Sequence, residues 1–108
     1  MSRRQKIEAM LVDEPADVFL RYSLALELDK EENHDRSLEL LAILAHETPP
    51  YVPAFFMSAQ QLARLNRVNE ARAMLREGIE VARQQGDAHA AGEMGEFLAS
   101  LGSRGEMS

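Results

Sequence analysis

The chain contains no cysteine. It can therefore form no disulfide, and it offers no thiol nucleophile and no cysteine-based metal site. Basic charge is also scarce. Twelve Lys and Arg stand against 18 Asp and Glu, a net charge of −6. That disfavours nucleic acid or an anionic membrane as a partner. The one basic cluster, Arg3, Arg4 and Lys6, lacks interleaved aromatics and reads as a solvated helix start. Long apolar runs are missing, so no segment is expected to span a membrane. The N-terminus passes from Arg3 and Lys6 into an acidic amphipathic stretch without an apolar signal core, so a cytoplasmic location is expected by default. No serine–histidine–acid set, glycine-rich phosphate loop or metalloprotease motif occurs, and the pair Gly92 and Gly95 has no preceding strand. No catalytic residue and no cofactor is expected.

What remains is ordinary globular composition over 108 residues, 45 % hydrophobic and 28 % charged, enough for one continuous core. Apolar residues recur at spacings of three and four, the period of helices, and no sustained strand alternation appears. Ser2 with Gln5 forms a capping-box pattern that opens a first helix, and Pro15 closes it. A second helix is expected over about Asp17–Glu31, and a third over Asp35–Glu47 before Pro49 and Pro50. A fourth is expected over Val52–Leu65, a fifth capped by Asn69 and ended by Gly86, and a sixth capped by Asp87 and closed by Gly102. Short helices on short connections are antiparallel neighbours, either in a closed bundle or in an open stack of pairs.

An internal period chooses between these two. Positions 34 apart match in character: Pro15 with Pro49, Ala25 with Ala59, Leu28 with Leu62, Ser37 with Ala71, Leu41 with Leu75, and Ile7 with Leu41. Identities between the two copies are few. The signal lies in which slots are small and which are large. Small residues let helix backbones approach, and the large aliphatics one turn later fill the space beside them.

This pattern resembles the tetratricopeptide repeat, a helix–turn–helix unit of the same period. Leu24 and Ala25 with Leu28, then Ala59 with Leu62, look like the signature of the family's first helix, although Ser58 replaces its leucine. Met94 and Gly95 with Leu98 repeat it after a two-residue lengthening of the fifth helix. Ser37 and Ala71 fall on the small slot of the second helix, and Pro49 on the closing proline, where Arg83 departs. Glu32 and Asn66 replace the usual glycine between helices. The resemblance implies an all-α, right-handed superhelical stack of about six helices in one domain, 1–102. It comprises a lone helix 3–13, repeats 18–51 and 52–85, and a final helix 88–101, with a disordered tail 103–108. It also gives Gly78 a purpose. A mid-helix glycine costs about 1 kcal/mol against alanine, and here it would mark a close helix contact. Gly95 would occupy a matching slot.

The second helix carries Leu24, Ala25 and Leu28 on one face. Phe19, Tyr22 and Leu26 form another apolar stripe, flanked by Ser23. The fourth helix carries Phe56 and Met57 with Gln60 and Arg64 on the matching face, and the sixth His89, Glu93 and Glu96. By the resemblance these residues line a concave groove that binds a peptide segment of a protein partner. The apolar end would take large anchors, and the acidic end a lysine or arginine. No pair of cations stands among Tyr22, Leu26, Met57, His89 and Glu93, so a clamp for a peptide carboxylate is not expected. Packing between neighbouring helices is the competing reading of the same aromatics. Self-association into a structural homodimer, through the groove or through Phe97 on an uncovered last helix, is the alternative function. A metal-dependent helical enzyme using His89, Glu93 and Glu96 is a weaker alternative, and no metal is expected. His34, His46, Asp13, Glu14, Asp29, Glu31 and Glu32 read as solvated.

Overall fold

The computed structural model describes residues 1–102, and all regular structure among them is helical. The helices are α1 (Arg3–Asp13), α2 (Val18–Lys30), α3 (His34–Ala45), α4 (Val52–Arg64), α5 (Val68–Gln84) and α6 (Ala88–Ser100). The tail 103–108, expected to be disordered, lies outside the described residues.

Local chemistry sets most of the boundaries. Ser2 and Gln5 form the reciprocal capping box of α1, at 3.1 and 2.9 Å. Asp17 caps α2 through the Leu20 amide, and Asp87 caps α6 through the Ala90 amide. Two expectations move. The N-cap of α5 is Arg67, so Asn69 lies inside the first turn, where its side chain accepts from Arg72 instead. The third helix ends at Ala45, two residues early, because His46 already leaves helical geometry and its amide closes the last turn.

Three of the turns share one closing geometry. Glu32, Asn66 and Gly86 have φ of 64°, 61° and 75°, the left-handed region. After each, the next amide reaches back to a carbonyl five residues earlier: Asn33 to Leu28, Arg67 to Leu62, and Asp87 to Ala82, each at 2.8 Å. This Schellman closure satisfies carbonyls that the helix end would otherwise leave open.

Each helix packs on its neighbours in sequence, and α4 also meets α6. The radius of gyration is 14.5 Å and the extents are 44 × 32 × 17 Å, a slab. A closed globule of this length would have a radius of about 13 Å. The open stack is thus the observed arrangement.

The slots behave as their sizes require. Ala25, Ser37, Ala59, Ala71, Leu41 and Leu75 are fully buried. Gly78 sits at the crossing of three helices, where an added Cβ would meet Phe55 of α4 and the Met94 sulfur of α6. Gly95 differs from the expectation. Nothing lies within 4 Å of a Cβ there, because no described helix packs on that side of α6. Met10 of α1 is exposed, whereas Leu44, 34 positions on, is fully buried. Leu24 is only part-buried beside the buried Ala25 and Leu28.

Polar groups tie the stack together more than the sequence suggests. The Ser37 hydroxyl donates to the Ala25 carbonyl at 2.6 Å and accepts from Gln61 Nε2 at 2.9 Å, joining α2, α3 and α4. The N-terminal arginines lie at the surface, as expected, and also reach across to α2 and its C-cap. Arg4 binds Glu31 at 2.9 Å and Glu8 at 2.8 Å, and Arg3 lies 3.4 Å from Glu27. The Glu31 hydrogen bond is the main reason that the Arg4 pKa is raised, followed by the charges of Glu31 and Glu8. Asp29 is likewise paired, with His34 at 2.8 Å and Arg64 at 2.9 Å. His46 bridges α3 to α5 through Glu77 at 2.8 Å, and its ring stands edge-on to Phe55.

Candidate partner-binding groove

The helices α2, α4 and α6 contribute to one face, behind which Gly78 of α5 packs on Phe55 of α4 and Met94 of α6. Their shared face holds a hollow of about 170 Å³. Tyr22 comes from α2, and Val52, Pro53, Phe56, Met57 and Gln60 from α4. Asp87 caps α6, which adds Ala90, Glu93 and Met94. The two aromatic rings of the lining, Tyr22 and Phe56, are each packed on a ring outside it. Tyr22 meets Tyr51 edge-on at a centroid distance of 5.3 Å, and Phe56 meets Phe97 at 5.7 Å with a 52° tilt. Such pairs hold rings in fixed orientations. Burial, and secondarily the neighbouring Tyr51, pushes the Tyr22 phenol pKa up, so the hydroxyl stays neutral. The charged groups of the lining are Asp87 and Glu93. This surface suits an apolar group beside a cation.

Of the residues expected in one groove, Tyr22, Phe56, Met57, Gln60 and Glu93 are brought together. Glu96 borders an adjoining shallow hollow with Phe56, Glu93, Phe97 and Ser100. Arg64 borders another, with Gln60, Ala63 and Phe97, and is held by Asp29. Ser23 and Leu26 are part-buried and do not line the central hollow. Phe19 is 68 % exposed and lines a separate hollow against α1, one turn away from Tyr22. His89 also lies outside the lining; its side chain is 86 % exposed and reaches Glu93 at 3.3 Å. Glu96 does not join that pair. Among the described residues no group of three or more His, Asp or Glu could hold a metal ion.

Several lining residues were not anticipated. Phe97, expected on an uncovered face, is part-buried against Phe56 and borders the two adjoining hollows rather than the central one. Met94 and Leu101 beside it are fully buried. Val52, Pro53, Asp87 and Ala90 join the lining because the starts of α4 and α6 are adjacent. Arg72 was also missed. It is 8 % exposed and donates to the carbonyls of Leu101 at 2.6 Å and Gly102 at 3.4 Å. A cation at a helix C-terminus is favourable. It anchors α6, and with it one side of the groove.

The fold is similar to the solution NMR structure of a tetratricopeptide repeat domain protein from Salinibacter ruber. The TM-score is 0.75 and the identity 33 %, over 81 % of this chain and 88 % of that one. A crystal structure of the tetratricopeptide repeat domain protein from Salinibacter ruber matches with a TM-score of 0.71 and 32 % identity, over 81 % of this chain and 97 % of that one. No protein-family model and no curated protein matches the sequence. The chain belongs to the tetratricopeptide repeat family, a class of helical-repeat solenoids that are generally non-catalytic protein-interaction modules. Among the described residues no helix is long and apolar enough to cross a membrane.

Proposed function

We propose that this chain holds a segment of a partner protein in the groove formed by α2, α4 and α6. The observation that carries the reading is the hollow itself, in which Phe56, Met57 and Tyr22 stand open beside Glu93. One or two large apolar side chains of the ligand fill the space beside these residues. A following lysine or arginine pairs with Glu93, and Glu96 lies on its path out. Apolar burial supplies most of the affinity, at about 25 cal/mol per Å² before association costs. The acidic rim sets direction and speeds encounter, so its contribution weakens with salt.

The test is selection of a random peptide library on the full chain. The expected consensus is a large apolar residue followed by a basic one. Glu93→Lys should lose those peptides while keeping the parent's stability, because its side chain is 52 % exposed. Met57→Glu should lose them as well. A consensus without a basic residue, or one that Glu93→Lys still binds, would rule the reading out.

A further inference from the structure

A second apolar surface lies at the other edge of the molecule. Phe19 is 68 % exposed and Met10 53 %. With Leu20 they border a hollow of about 370 Å³ between the last turn of α1 and the first turn of α2. Neither Phe19 nor Met10 packs on the core cluster, which α2 reaches through Ala25 with Val18 and Tyr22 packed against it. Folding therefore gives no reason for an aromatic ring at this position.

The charges around it have one sign. Asp13, Glu14 and Asp17 complete the lining. Asp17 is committed to the α2 cap. Asp13 and Glu14 have no side-chain partner among the described residues. Nearby arginines are engaged elsewhere: Arg3 with Glu27, Arg4 with Glu8 and Glu31, and Arg21 with Glu47. Two carboxylates thus stand beside exposed apolar surface in a lining that contains no cation.

We propose that this hollow is a second docking surface, for a protein segment that presents a lysine or arginine next to an apolar side chain. The apolar group covers Phe19 and Met10, and the base pairs with Asp13 and Glu14. A two-fold pairing of this face with a second copy is opposed, because it sets those carboxylates against their own equivalents. The surface is independent of the groove, with which it shares no lining residue.

The experiment is an NMR titration of the isotope-labelled full chain with an amphipathic leucine–lysine peptide, and with its leucine–glutamate counterpart. The leucine–lysine peptide should shift the amides of Met10, Asp13, Glu14, Phe19 and Leu20, and the leucine–glutamate peptide should not. Asp13→Asn and Glu14→Gln combined with Phe19→Ser should weaken that response about tenfold. Shifts at Ala90 and Glu93 should persist in this variant. Asp13→Lys with Glu14→Lys is the second variant. It places cations at the α1 C-terminus, which favours the helix, and should also abolish the response. Four outcomes overturn the proposal. The shifts are confined to the groove, or the glutamate peptide binds the hollow equally. Both variants leave the response unchanged, or the hollow shifts with protein concentration alone, which would assign it to a second copy.

Discussion

A β-carbon added to Gly78 would lie 2.6 Å from the Cβ of Phe55. That separation is below any ordinary carbon contact, and Phe55 Cβ is one bond from its backbone. It cannot swing away as a side-chain tip can. The second contact, the Met94 sulfur at 2.7 Å, closes the other side. Gly78 therefore sets how closely α5 approaches α4 and α6, and so the width of the groove.

Gly78→Ala should destabilise by about 1–3 kcal/mol through overpacking, although alanine is the better helix former. Gly92→Ala and Gly95→Ala should each stabilise by about 0.5–1 kcal/mol, since an added methyl meets nothing there. Urea denaturation of the three variants checks the contrast. A Gly78→Ala protein more stable than the parent would contradict the close contact.

Glu32 holds a left-handed conformation that favours glycine. Glu32→Gly should raise stability by about 0.5–1 kcal/mol, net of the greater freedom that glycine gives the unfolded chain. Asn66→Gly should gain less, because asparagine tolerates this region. Gly86→Ala should lose about 1 kcal/mol when the three variants are compared by urea denaturation.

Removing the guanidinium of Arg72 should cost about 1.5–3 kcal/mol, the range for hydrogen bonds from a charged donor. Arg72→Met keeps much of the apolar stem and isolates that loss. Hydrogen exchange should show faster opening of the Leu98–Leu101 amides before any effect on α2 or α3. Arg72→Lys should restore only part of the protection, because one ammonium cannot reproduce the fork reaching Asn69 and Leu101 together.

Tyr22 gives an alkaline signature. Its folded-state pKa is raised above the ordinary 10.0, by burial first and Tyr51 second. The unfolded chain therefore ionises this phenol before the folded chain does. The stability linked to it is full below the unfolded value and is lost as pH rises through the folded one. Tyr22→Phe should flatten the fall in stability on the alkaline side. An unchanged alkaline slope would mean that the ring is more hydrated than its packing on Tyr51 indicates.

The period of 34 made the helix pairs readable, because packing chemistry repeats wherever the same backbones approach. Ala25 and Ala59 were legible as contact slots, and so was Gly78, since a residue with poor helix propensity in a helix needs a tertiary reason. Gly95 obeyed the same local pattern without the contact. A slot is a potential approach, and only a packed neighbour makes it one. Paired charges were illegible for a related reason. Arg4 and Glu31, or Asp29 and Arg64, are separated by a whole helix or more in sequence, and nothing in either helix's own pattern names its partner.

The candidate site divides along the same line. Phe19 and Tyr22 sit three apart on α2, and the sequence alone put them on one stripe. The fold sends them to different hollows, because Tyr22 faces α4 and α6 while Phe19 faces the end of α1. Phe97 moved the other way, from an expected free edge to part-burial against Phe56 beside the groove. The sequence by itself determined the helices, their turns and the residues available to each face, since these follow from backbone propensity and helical period. Only the tertiary structure decided which faces meet, because that depends on the angle and distance at which helices far apart in the chain cross.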